Sequence, residues 1–228
     1  MKTIIKVLLS LSILLLVYFC IMSVLTPIRF EESKDKREKE VIQRLIDIRK
    51  AELEFKDQHK YFTDNFDTLI SFLKKAKKKT VLKEGTLTDA QLDAGLTEAT
   101  AVKIVRKGNA KEIADNGLQN FRRDTAYVNL ILSIFEPSEY TEKTIDKIAI
   151  IPFSNNERFE LKVDNNFINS TGILIPVFEA SAHYKTYLFD LDHQEMLNVI
   201  DLQEKLDKFP GLKVGSVDEP NNNAGNWE

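Results

Sequence analysis

The nineteen residues Val7–Leu25 carry no charge, and no other stretch constrains the fold of this chain as strongly. Thirteen of them are Leu, Ile, Val or Phe, set against three serines. As a helix rising about 1.5 Å per residue, the run spans roughly 28 Å, close to the hydrocarbon thickness of a bilayer. At about −0.3 to −0.6 kcal/mol for each apolar residue, insertion is favoured by about 4–8 kcal/mol, which outweighs the serines. Val7, Leu16, Cys20 and Leu25 mark out the expected membrane anchor.

A removable leader needs small residues in an A-x-A-like pattern before its cut, and none follows the run. Lipoprotein processing at Cys20 is disfavoured by Val17, Tyr18 and Phe19 before it and by the apolar continuation to Leu25. Residues 1–26 therefore read as an uncleaved signal anchor. Lys2 and Lys6 precede it, while Arg29, Lys34, Lys36 and Arg37 follow, so basic residues alone do not fix the orientation. The short signal-like leader points to a cytoplasmic N-terminus. That places a single-pass protein in the inner membrane, its C-terminal domain periplasmic. The span holds no small-xxx-small pair, so tight homo-oligomerisation is not encoded there.

Residues 27–58 read as a charged helix, with Thr26 as cap and Pro27 as a restart that kinks the chain. Glu31–Glu40 forms i,i+4 ion pairs and suggests a polar stand-off of about 15 Å. From Val41 a stripe at helical spacing (Val41, Leu45, Ile48, Ala51, Phe55) would dock on a domain. Phe66, Leu69, Ile70 and Leu73 form the face of a second helix. Lys74, Lys75 and Lys77–Lys79 read as cations at its C-terminus. Thr80–Glu84 suggests a strand, Thr88 and Gln91 have capping-box spacing, and Ala99–Arg106 is helical up to Gly108.

Beyond Arg122 the pattern turns strand-like: Ala126–Phe135, Lys147–Phe153, an alternating Arg158–Val163, a turn at Asp164–Asn166, a return over Phe167–Phe178, and Tyr184–Phe189. Leu197–Phe209 reads as a last helix or extended segment. The expected fold is α+β, with a transmembrane helix continuing into a long helix packed on an antiparallel sheet. The exported domain would cover 59–217, followed by a polar, flexible tail at 218–228.

Over Val7–Leu73 this order of elements resembles pilins and pseudopilins, although the prepilin glycine and the glutamate at the fifth position of the mature run are absent. The chain is also similar to uncharacterised single-pass envelope proteins of Gram-negative bacteria, through Arg44–Ala51 and Pro210–Ser216. That likeness implies an envelope location and no particular activity.

The residues advertise no chemistry. A formal charge of −3 gives no attraction to nucleic acid, and the single cysteine supports neither a disulfide framework nor a thiolate metal site. No phosphate-binding glycine loop is present, and His59, His183 and His193 sit in no catalytic pattern. Asp190, Asp192, His193 and Glu195 form the densest group of metal-ligand types, but they lack the EF-hand glycine and terminal Glu, so a solvated turn is favoured. Asp67-Thr68-Leu69 and Asp124-Thr125-Ala126 fit a loose O-glycosylation pattern, and Asn169-Ser170-Thr171 fits a sequon. No cofactor and no metal are implied. The expected role is a non-catalytic envelope subunit, with the bilayer and other envelope proteins as partners. The alternative is a tethered module that binds glycan or peptide through Tyr184, Tyr187 and Trp227.

Overall fold

A computed structural model describes residues 2–228, with all their side chains except those of residues 2, 3, 80–82 and 124–126. The chain is mixed α+β, and its contacts group into two compact units, 1–73 with 140–228 and 74–139. The stretch 59–217, expected as one domain, thus contributes to both.

The first unit is organised by α1 (Lys2–His59), one helix that runs through Pro27 without a break. The expected restart at Thr26 does not occur. Proline removes one hydrogen bond, at a cost of about 3 kcal/mol, and the packed face that begins just beyond it offsets this loss. The expected stand-off is also absent. Burial starts at Phe30, 5% exposed, and continues through Val41, Leu45, Ile48, Ala51 and Phe55. Between these apolar residues Lys34, Arg37 and Glu38 are only half-exposed. The charged stretch is part of the docked face because long basic side chains can cover apolar surface while keeping their charge paired.

The helix packs against a three-stranded antiparallel sheet of order β3 (Glu160–Asp164), β4 (Val177–His183) and β5 (Gly211–Gly215). In β4, Phe178, Ala180 and Ala182 alternate on one face, and Val214 and Leu212 stand in register with the two alanines. All five are buried, and Phe62, just past the end of α1, packs on Phe178 at 4.8 Å between ring centroids. Alanines at 180 and 182 let the helix approach the central strand closely. The α2 helix (Phe66–Lys75) adds Phe66, Leu69, Ile70 and Leu73 to the core. Its last residues are Lys74 and Lys75, whereas Lys77–Lys79 open a strand instead of extending the helix end.

Several segments expected as strands are helical. A 3₁₀ turn at Ile145–Ala149 buries Ile145 and Ile148 together, a three-residue spacing that the β-branched composition had disguised. Tyr184–Tyr187 is a one-turn helix, α7, with both tyrosines inward at the same spacing. Of Phe167–Phe178 only the last two residues join β4; the rest is a loop pinned by an Ile168–Leu174 bridge. The last helix, α8, spans His193–Lys205.

The tail is not loose. Asn226 N–H donates to Lys213 O at 3.0 Å, Lys213 N–H to Asn226 Oδ1 at 3.0 Å, and Gly215 N–H to Ala224 O at 2.9 Å. Asn226 Nδ2 donates to Gly211 O at 2.9 Å. Together these bonds cover the outer edge of β5. Gly215 must be glycine: its φ is +73°, and a Cβ there would lie 2.1 Å from Phe178 O.

The second unit pairs β1 (Lys77–Glu84) with β2 (Arg122–Asn129) in antiparallel register and carries helices α3 (Asp89–Asp93), α4 (Glu98–Lys107) and α5 (Ala110–Asp115). Its small core is Ala101, Leu118 and Phe121. Gln91 Oε1 accepts from Thr88 N–H at 2.8 Å, and Gly108 closes α4 in the left-handed region. The expected strand Ala126–Phe135 gives way at Asn129, whose side chain accepts from Ile131 N–H at 2.9 Å and starts α6 (Leu130–Ile134).

Candidate functional site

Two features of the first unit stand out, both built on α1. The first is the apolar run. Val7 and Leu16 are 65% and 62% exposed, Cys20 is exposed, and Leu25 is half-buried where the packed face begins. This one helix is long and apolar enough to cross a membrane. Among the described residues nothing covers that length, so a bilayer is the environment its composition matches.

The second feature is the set of charged groups that α1 turns into its own unit. Arg37 donates to Tyr187 O at 2.7 Å and to Asp190 Oδ2 at 2.8 Å, and lies over the Phe153 ring at 5.0 Å. The Asp190 contact raises the Arg37 pKa and holds the Asp190 carboxyl below its usual value. Asp47 is buried and accepts from the Tyr140 hydroxyl at 2.9 Å. Arg49 donates to Glu228 Oε1 at 2.7 Å and Asn223 O at 3.1 Å, tying the tail to the helix.

Two glutamates are placed differently. Glu52 is fully buried; Thr63 N–H donates to its Oε2 at 3.3 Å, while Oε1 has no partner among the described residues. Burial pushes its pKa up to about 8. Glu38 also has one buried oxygen without a partner, and burial raises its pKa too. Tyr184 is hydrogen-bonded to Glu38, and its own hydroxyl is pushed up to about 12, chiefly by burial. Both glutamates fall on the stripe of α1, Glu38 three residues before Val41 and Glu52 four after Ile48. Their burial was therefore legible in the spacing had the stripe been read through its charged members.

Beside Glu38 lies a groove of about 510 Å³, with Tyr184, Gln203, Lys208, Lys213 and Trp227 among its lining residues. Of the three expected partner contacts, only Trp227 offers surface, being half-buried. Tyr187 is fully buried, its hydroxyl without a partner among the described residues, and Tyr184 is buried too, so neither ring is presented outward. A cleft of about 590 Å³ in the second unit, lined by Gln91, Leu96, Thr100, Ile104 and Asp115, has no aromatic wall.

The remaining candidates occupy structural positions. Asp192 caps α8 by accepting from Glu195 N–H at 3.0 Å, and Asp190 faces Arg37. His59 stacks on Phe55 at 4.2 Å, and His183 packs against Phe209 at 4.5 Å. His193 is the exposed first residue of α8. Asn169 Oδ1 accepts from Thr171 and Ile173 N–H groups in a local turn. Asp67-Thr68-Leu69 lies in the first turn of α2, and the side chains of Asp124-Thr125-Ala126 are outside the described residues. Among the described residues no group of three or more His, Cys, Asp or Glu is gathered as metal ligands would be. Comparison with protein-family models, curated proteins and solved structures returned no match.

Proposed function

We propose that the chain is a non-catalytic, membrane-anchored subunit of a bacterial envelope assembly, a scaffold or pilin-like component with a cytoplasmic N-terminus and a periplasmic folded part. One observation carries this reading: the helix with the exposed apolar run is also the helix around which the first unit packs. Only four residues lie between Leu25 and buried Phe30, five helical steps or a rise of about 8 Å. A unit seated so close to its anchor cannot swing freely on a linker. It would offer its surfaces to neighbouring proteins at a fixed height and angle above the bilayer. The charged groups of α1 support a structural role, since Arg37, Asp47 and Arg49 are spent on internal contacts. Photo-crosslinking in intact membranes tests the proposal. Reproducible envelope-protein adducts to the folded part are expected, and a chain that stays uncrosslinked at every surface position contradicts it.

A further inference from the structure

We propose that the groove beside Glu38 is a binding site for a neutral oligosaccharide, with the Trp227 indole as its stacking wall and Gln203, Glu38 and Tyr184 as its hydrogen-bonding side. At about 510 Å³ the groove falls within the roughly 300–1,000 Å³ typical of small-ligand sites. It combines an aromatic plane with polar groups that have bonding capacity to spare. The Gln203 amide has no hydrogen-bond partner among the described residues and is half-exposed. Glu38 keeps one carboxylate oxygen without a partner among the described residues.

Charge argues for a neutral ligand. By formal count the lining balances, Glu38 and Asp207 standing against Lys208 and Lys213. Neither an anion nor a cation finds an excess of the opposite sign. A sugar ring suits such a lining, because it shows one apolar C–H face to an aromatic plane and hydroxyls around its rim to amides and carboxylates.

The wall is preset. Gly225 is buried, and a Cβ on it would come 2.4 Å from the Trp227 ring, so the indole lies packed against its Cα. Asn226 between them is held by Lys213 N–H and Gly211 O. A wall already ordered loses little freedom when a ligand stacks on it.

The same bonds decide against an extended peptide. Main-chain recognition adds a strand to a free sheet edge, and the outward groups of Gly211, Lys213 and Gly215 are taken by the tail.

Trp227 is the chain's only tryptophan, so its emission reports on this groove alone. The test titrates the full chain in detergent with maltotriose and N,N′,N″-triacetylchitotriose, using a hexameric Gly-Ser peptide as control. At least one sugar should give a saturable emission change, and the peptide none. Gln203→Ala lies at a half-exposed helix position, so its fold is not at stake. It should weaken the binding about 3- to 10-fold, the worth of one lost hydrogen bond. Trp227→Ala, read by ligand-observed NMR and checked for an unchanged circular dichroism spectrum, should abolish it. No response to either sugar, an equal response in Gln203→Ala, or a saturable response to the peptide overturns the proposal. Because the titration is done in detergent, its failure is distinct from a failure of the anchor.

Discussion

Replacing Glu52 with Gln should stabilise the protein at neutral pH and flatten its pH dependence. In the folded chain Glu52 is fully buried, and burial moves its pKa from 4.5 to about 8. Between those two values the unfolded chain has released this proton while the folded chain still holds it. Folding then takes up a proton, so stability falls as pH rises, by about 1.4 kcal/mol per pH unit. The stabilising contribution is complete below pH 4.5, declines across the interval and is gone above about pH 8. Over the whole interval the change amounts to about 5 kcal/mol, and at pH 7 Glu52 has already forfeited about 3 kcal/mol of it. Glutamine has the same shape, keeps an acceptor for Thr63 N–H and does not titrate. Urea unfolding of the detergent-solubilised chain, followed by Trp227 emission at a series of pH values, gives both curves. E52Q and the native chain should agree near pH 4.5, and E52Q should be more stable by about 3 kcal/mol at pH 7. Parallel profiles would refute the argument, because they would mean that Glu52 ionises in the fold at its ordinary pKa.

Two other substitutions and a truncation probe the packing. Leu45→Ala, at a fully buried position of α1, should cost about 2–5 kcal/mol in urea unfolding. Gly215→Ala places a methyl 2.1 Å from Phe178 O at a φ of +73° and should cost about 3 kcal/mol or more, seen as a lower melting temperature. Deleting residues 218–228 bares the outer edge of β5, and analytical ultracentrifugation of the detergent-solubilised chain should then show more self-association than the full chain does. An unaltered sedimentation profile would mean that the tail is not what keeps that edge closed.

What the sequence disclosed depended on the range of the interactions involved. The apolar run and the stripe from Val41 to Phe55 both lie within one helix, so composition and length expose the first and periodicity the second. Capping at Thr88 and the left-handed Gly108 are equally local. Where β-branched and aromatic residues met, composition misled: Ile145 and Ile148, like Tyr184 and Tyr187, lie three apart and point inward from single turns. The burial of the lower part of α1 escapes local patterning because Arg37 and Glu38 look solvated until their partners, 150 residues away in the case of Arg37, are known. The groove was invisible for the same reason. Its members come from α1, α7, the end of α8, β5 and the tail, and only Trp227 and Tyr184 carried a signal of their own. The tail read as flexible from its asparagines, yet Asn226 uses its amide to mimic a strand partner for β5.

Cys20, the chain's only cysteine, offers a native probe of whether α1 enters a bilayer. In intact vesicles carrying the unmodified protein, a membrane-impermeant maleimide should leave Cys20 unlabelled and react fully once detergent is added. Rapid labelling before detergent would put this face of α1 in water, and the account of a unit seated on its own membrane anchor would be wrong.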